Sequence, residues 1–438
     1  MSNTFDGHAA SRRYAWYVVL LLTAAQMASF MDRYLPSILL QPIKQTFELT
    51  DFQVGLLLGP AFAIVYCTMA LPFGWMADRW SRRTLIAIGI TLWCCMTGAG
   101  AFVASFLPLM ILRLGVGLGE ASLSPSAVSL ISDYFPKKER HRAVGLYMTG
   151  AGIGAGIAYI LISPLAQWLM TKPPFDVPFF GEVPAWQMTF AIIGPPGILL
   201  ALLMFTIKEP KRTEVVKVDE NGRPITASLR DATSYIMKRW RAFGTLFLAT
   251  ICLSTLSTLN HWNVALFQRT WDWSVRDVGI AVGLMFFTAV PLGTFLAIKM
   301  TNRGVKAGRR DATMRTMIFG LFVAIPTFAA YPLMPSAPLA IGVLFIAFIA
   351  QALFSASSPA ALTQLAPGQI RAQSLAIFYM VNGLVSLTIG PPPVGWMTDA
   401  MGGTEMLRYA MTTEALVVGI PSLIIVLLGR KYYERATL

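Results

Sequence analysis

Asp32, Arg33, Arg113 and Glu120 are two carboxylates and two guanidiniums set inside otherwise apolar runs, 16–41 and 107–135. A charge at membrane depth costs on the order of 2.5–3.5 kcal/mol even on lenient scales, so it persists where it pairs, lines water or does work. The chemistry open to this set is proton exchange on the carboxylates and anion binding on the guanidiniums. Arg113 and Glu120 stand seven positions apart, so on a helix they share a face about 10 Å apart along the axis. Asp32, Arg33 and Arg113 fall at similar depth and Glu120 about two turns deeper. Asp32 and Arg113 are therefore expected to pair, and Glu120 to lie near the midplane without an obvious partner. A carboxylate balanced between burial, which favours its neutral form, and an arginine, which favours its charged form, can take and release a proton as geometry changes. The alternative is a static ion-pair knot locking the two helices.

The elements that position these groups follow from composition. Of 438 residues, 55% are hydrophobic and 13% charged, with a mean hydropathy of +0.59. A soluble domain carries roughly 25% charged residues, so the apolar bulk faces lipid. Apolar segments of about 20 residues or more recur about twelve times, at 15–41, 52–76, 84–105, 107–135, 143–170, 187–208, 240–267, 277–300, 313–332, 338–366, 373–397 and 409–429. The expected organisation is a six-helix bundle over 15–208, a cytoplasmic linker over 209–239 and a second six-helix bundle over 240–430. The end of the linker, 228–240, sets Leu229, Ile236 and Trp240 among basic residues, as a short interfacial helix would. No cleavable signal is expected, because Arg12 and Arg13 abut a stretch too long for one.

The net charge of +13 is topological. Five of the 35 Lys and Arg, namely Lys44, Lys172, Arg269, Arg276 and Arg408, fall in loops of one parity. Two more are Arg33 and Arg113, and the other 28 lie in the opposite loops and at the termini. That bias places both termini in the cytoplasm of a multi-pass protein of the cell's inner (plasma) membrane, and it leaves no call for a nucleic-acid partner. Cys67, Cys94, Cys95 and Cys252 lack metal-ligand spacing and are read as packing residues. The run Gly150-Ala-Gly152-Ile-Gly154-Ala-Gly156 mimics a nucleotide loop, but it lies in the fifth span with no strand before it, so it reads as a helix-packing seam. No metal, cofactor or catalytic motif is expected; the chain is not an enzyme, and an ion gradient rather than ATP would drive it.

The loop after the second span reads Gly74-Trp-Met-Ala-Asp78-Arg79-Trp-Ser-Arg82-Arg83. Gly74 permits close helix approach and Asp78 can accept hydrogen bonds from a neighbouring helix end. This loop resembles the signature loop of the major facilitator superfamily (MFS), and Arg113 with Gly117 is similar to that family's fourth-helix motif. Gly115 and Gly119 form a small-residue pair for tight packing. Phe30-Met-Asp32-Arg33-Tyr34, Gly119-Glu120-Ala121-Ser122, Ser132-Asp133-Tyr134-Phe135-Pro136 and the run Gly390 to Asp399 look like the Spinster branch. Trp262-Asn263-Val264 departs from that branch's usual seventh-helix pattern.

The resemblance implies an all-α integral membrane protein of the MFS fold, with two pseudo-symmetric six-helix bundles and alternating access. It implies export or redistribution of lysolipid-like amphiphiles, with proton coupling through Asp32 and Glu120 and anion binding or charge compensation by Arg33 and Arg113. Gly74, Asp78, Arg79, Arg82 and Arg83 would gate the conformational cycle. Asn260, His261 and Asn382 are candidate cavity-lining residues. The second half is expected to carry no deep charge, which suits a lipid with charge on one wall and apolar surface on the other. The expected partners are a lysophospholipid- or sphingosine-phosphate-like lipid, protons and the bilayer, for a chain acting as a monomer. The alternative cargo is a small organic anion, a carboxylate or sugar acid, taken up with protons.

Overall fold

The computed structural model describes residues 11–212, 229–368 and 370–436. Among them are twelve helical stretches long and apolar enough to cross a membrane. In chain order these spans are Arg12–Ile38, Asp51–Ala77, Arg82–Phe102, Phe106–Tyr134, Lys137–Met170, Ala185–Met204, Trp240–Trp271, Val275–Lys306, Ala312–Leu333, Ala337–Leu365, Gln373–Ala400 and Thr404–Ala436. Only helices satisfy every backbone group within one segment, which is why apolar runs of this length fold so in lipid. Beside the spans stand short helices, including Leu229–Lys238 just before the seventh. One small hairpin, Phe175–Val177 with Gly181–Val183, joins the fifth and sixth spans. Most of the expected 209–239 linker, residues 213–228, lies outside the described residues.

Two compact units divide the chain. The first holds the residues before the undescribed stretch together with Asn263–Gln268 and Asp272–Leu284, and the second holds the rest. In the first unit the first span packs on the fifth, the second on the fourth, and the third on the fourth and sixth. In the second unit the ninth packs on the tenth and twelfth, and the seventh on the twelfth and eleventh. The core of the first unit joins Val18, Leu22 and Ala25 to Ile86, Ile90, Trp93, Leu130, Ala143 and Tyr147.

Lipid tails give helices no hydrophobic reason to associate, so close approach through small residues does much of the joining. A Cβ on Gly117 would lie 2.7 Å from the Phe62 carbonyl oxygen, and one on Gly119 would lie 2.6 Å from that of Gly89. One on Gly150 would lie 2.9 Å from the Thr23 carbonyl, and one on Gly154 would lie 2.7 Å from Met27 Cα. The glycine run of the fifth span is thus its seam with the first. Gly74 differs from expectation: a Cβ there meets nothing within 4 Å, so no helix approaches through it.

Several spans are broken, three of them beside a proline that lacks an N–H donor. The second turns at Gly59 before Pro60, and the fourth at Ser122. Helix resumes in the sixth only at Gly197, after Gly194-Pro195-Pro196. The seventh passes through a tighter stretch, Thr258–Trp262, which carries Asn260 and His261.

Candidate functional site

The four deep charges converge within the first unit. Successive residues on a helix point about 100° apart, so neighbours Asp32 and Arg33 serve different partners. Asp32, 4% exposed, accepts from the Thr97 hydroxyl of the third span at 2.8 and 2.7 Å. Arg113 Nη1 stands 3.8 Å from its Oδ2 and donates to the Asp32 backbone carbonyl at 3.5 Å. The expected Asp32–Arg113 pair therefore exists but is the looser contact.

Arg33 turns instead to Glu120, with Nε donating to Oε2 at 2.7 Å. Ser29, one turn before Arg33 on the same face, donates to the same oxygen at 2.6 Å. Glu120 is not the partnerless carboxylate expected from depth alone. The long arginine side chain covers the two-turn gap that Cα depths suggested. The other oxygen, Glu120 Oε1, is buried and has no hydrogen-bond partner among the described residues, and neither has Arg113 Nε.

Aromatic rings frame the Arg33 guanidinium: its carbon lies 4.5 Å from the Phe30 ring centroid, 4.8 Å from Phe62 and 4.2 Å from Tyr66. Such contacts contribute about 2 kcal/mol each when desolvated. They set a cationic group within apolar walls. Beyond it, Tyr147 OH donates to Gln26 Oε1 at 2.8 Å and lies 3.1 Å from Ser124 Oγ, a polar bridge across the first, fourth and fifth spans. With Arg33 and Arg113 charged and both carboxylates ionised, the cluster is formally neutral. Adding one proton would leave one guanidinium uncompensated.

At the Arg12 end of this unit, Arg82 is 1% exposed. Its Nε donates to Glu209 Oε1 at 2.7 Å, and its Nη1 to Ser129 Oγ at 2.9 Å and to Asp133. Glu209 Oε2 accepts from Ser81 Oγ at 3.0 Å and from the Arg83 backbone N–H at 3.2 Å. Glu209 thereby caps the start of the third span, the part expected of Asp78. Asp78 itself is exposed and has no side-chain partner among the described residues, because the chain leaves the helix there and turns it outward. Arg83 Nη1 donates to the Ile207 carbonyl at 2.8 Å, and Arg79 lies over the Trp75 ring at 4.1 Å. Sequence reasoning missed Glu209 and Asp133 as partners, although Asp133 stands in the Ser132–Pro136 phrase and Glu209 is the first residue of the expected linker.

In the second unit Asn260, 4% exposed, donates to Gln351 Oε1 at 3.2 Å. Asn382 Oδ1 is buried without a partner among the described residues, and His261 is half-buried. The expectation of no deep charge in this half is overturned by Glu414. It is 4% exposed and lies about 10 Å along the helix from the start of its helix at Leu407. Sequence reasoning missed it, although it stands five residues inside the expected 409–429 span.

A family model described as Major Facilitator Superfamily matches residues 22–303. An MFS-type efflux pump of Mycolicibacterium smegmatis is 26% identical over 97% of this chain and 94% of its own. A probable galactarate/D-glucarate transporter of Bacillus subtilis is 23% identical over 94% and 91%. Among solved structures, a bacterial homolog to the human lysosomal transporter Spinster, inward-facing and unoccupied, superposes with a TM-score of 0.77 at 26% identity, covering 98% of both chains. With twelve spans, a charge cluster inside the first six and these likenesses, the chain belongs to the Major Facilitator Superfamily of membrane transporters and is similar to the bacterial Spinster homolog.

Proposed function

We propose that the chain is a proton-coupled secondary transporter of an amphipathic anion, a lysophospholipid- or sphingosine-phosphate-like lipid, working by alternating access. The observation that carries this reading is the shared Glu120 oxygen. Ser29 and Arg33 both donate to it. A proton on Glu120 weakens its hold on Arg33, and the guanidinium turns to the cargo's anionic head while Phe30, Phe62 and Tyr66 receive its apolar part. Asp32 and Arg113 form the second exchangeable pair. When the anion leaves, Arg33 recaptures Glu120 and the proton is lost. Anion and proton are thereby coupled by charge balance rather than by separate sites.

The Arg82–Asp133–Glu209 knot, with Arg83 beside it, stabilises one end-state of the cycle. Both termini lie on the cytoplasmic side of the inner membrane in this reading, as the basic loops support. The second reading, a small sugar-acid symporter, is favoured by the Bacillus relative, whose printed substrates are galactarate and glucarate. Purified protein in proteoliposomes with labelled lysophospholipid or labelled glucarate, with and without a pH gradient, separates the two. Gradient-driven lysolipid movement supports the first, and glucarate movement alone supports the second.

A further inference from the structure

A cavity of about 190 Å³ lies between the first, third and sixth spans. Asp32, Thr97, Cys94, Trp93, Pro196 and Gly197 are among its lining residues. Arg33, Arg113 and Glu120 do not line it, so Asp32 is the one carboxylate of the cluster that also faces this side. The rest of the wall is largely apolar, with Met31, Ile193 and Leu200. Pro196 at its rim is exposed on the sixth span.

The sixth span makes the opening. Pro195 and Pro196 carry no N–H, so the carbonyls of Ala191 and Ile192 lose their helical donors. The Gly197 N–H bonds to Gly194 O at 3.2 Å. At both ends of the break the sixth span presses on the third: a Cβ on Gly194 would lie 2.6 Å from Gly98 N, and one on Gly197 would collide with Cys94 Sγ. The break is thus tightly held and the space between is a built feature.

We propose that this cavity is a lateral binding site for a lipophilic amine, whose ammonium pairs with Asp32 and whose apolar body fills the space between the third and sixth spans. Five observations favour that occupant. Among the lining residues Asp32 is the one acid, and no basic side chain stands with it. The Thr97 hydroxyl proton is already given to Asp32, so it is not offered to an anion. The charges facing Asp32 from other elements are Arg113 and Glu120 on the fourth span, and Arg113 is held at 3.8 Å, loosely enough for a second cation to compete. The sixth span contributes no charged residue over 185–204. An apolar cavity of roughly 150 Å³ is known to hold one benzene ring, so the volume suits a ring or short chain bearing one amine. Such an occupant enters from the lipid-exposed side, separate from the aromatic box around Arg33. By holding Asp32 as a carboxylate it blocks proton loading and inhibits transport, a consequence that rests on the proton-coupled reading above.

The test is equilibrium binding to the full chain in nanodiscs, using benzyldimethylamine as the probe and phenylacetate as its anionic counterpart. Saturable amine binding is expected, weakened about tenfold or more in Asp32→Asn. It is expected to be lost in Ala28→Leu, which fills the cavity from the first span while leaving every charge in place. Phenylacetate is expected not to compete. Absence of saturable amine binding, equal binding in Ala28→Leu, or equal competition by phenylacetate overturns the proposal. Each variant's melting temperature is measured alongside, and Ala28→Leu keeps the test valid if Asp32→Asn does not fold. Binding with no pH-gradient effect on transport sinks the proton-coupled reading alone and leaves the site intact.

Discussion

Glu120 holds two donors on one oxygen while its other oxygen is buried without a partner. Glu120→Gln keeps the shape but removes the charge that Arg33 compensates. Gradient-driven uptake is expected to fall to background in proteoliposomes while the purified protein remains folded and monodisperse. Arg33→Lys is not a conservative change here, because a point charge cannot fill a three-ring box or reproduce the planar Nε contact. Cargo affinity is expected to drop about tenfold or more in a direct binding assay, with expression unchanged. The quartet was legible because ionised groups in apolar runs stand out against their surroundings. Ser29 and Thr97 were not, because a hydroxyl in a membrane helix ordinarily returns its proton to its own backbone, as Thr23 does to Val19 O at 2.7 Å. Their diversion to a carboxylate is visible only once the third and fourth spans are in place. Glu414 also escaped the sequence reading, although it too is an ionisable group inside an apolar run.

Between elements, the glycines divide into those that helices approach and those they do not. Gly117→Val adds a branched side chain where one Cβ would already lie 2.7 Å from the Phe62 carbonyl. Overpacking of this kind costs about 1–3 kcal/mol or more, so a marked fall in melting temperature is expected. Gly74→Ala places its methyl in open space and is expected to melt like the wild type, despite the motif that singled it out. At the start of the ninth span Asp311 is a buried tie, accepting from Arg315 Nε at 2.9 Å and from Arg430 of the twelfth. Burial pushes its pKa up, but the hydrogen bonds from Arg315 and Arg430 outweigh it and hold the carboxyl below its usual range. Its stabilising effect is therefore fully present above the unfolded value of about 3.9 and is lost as pH falls through the lower folded one. The melting temperature of the wild type is expected to drop in that acid window, while that of Asp311→Asn, lower at neutral pH, stays flatter there.

Across the molecule, hydropathy alone carried the twelve spans, because lipid permits so few backbone solutions. It could not carry their interruptions. The break at Ser122 precedes Pro125, whose missing N–H leaves the Ala121 carbonyl without its helical donor, whereas the tightening at Thr258–Trp262 has no proline to mark it. The Pro195-Pro196 pair was readable as a break in principle, yet the cavity behind it depends on Cys94 and Thr97 of another span. In the proposed cycle the buried cluster takes up and releases a proton and an anion's charge together. The most direct test is labelled lysophospholipid movement in proteoliposomes under an imposed pH gradient, comparing wild type with Glu120→Gln. Accumulation that collapses when the gradient is dissipated, and is absent in Glu120→Gln, is the predicted result. Accumulation in wild type that ignores the gradient, or persists undiminished in Glu120→Gln, would contradict the account.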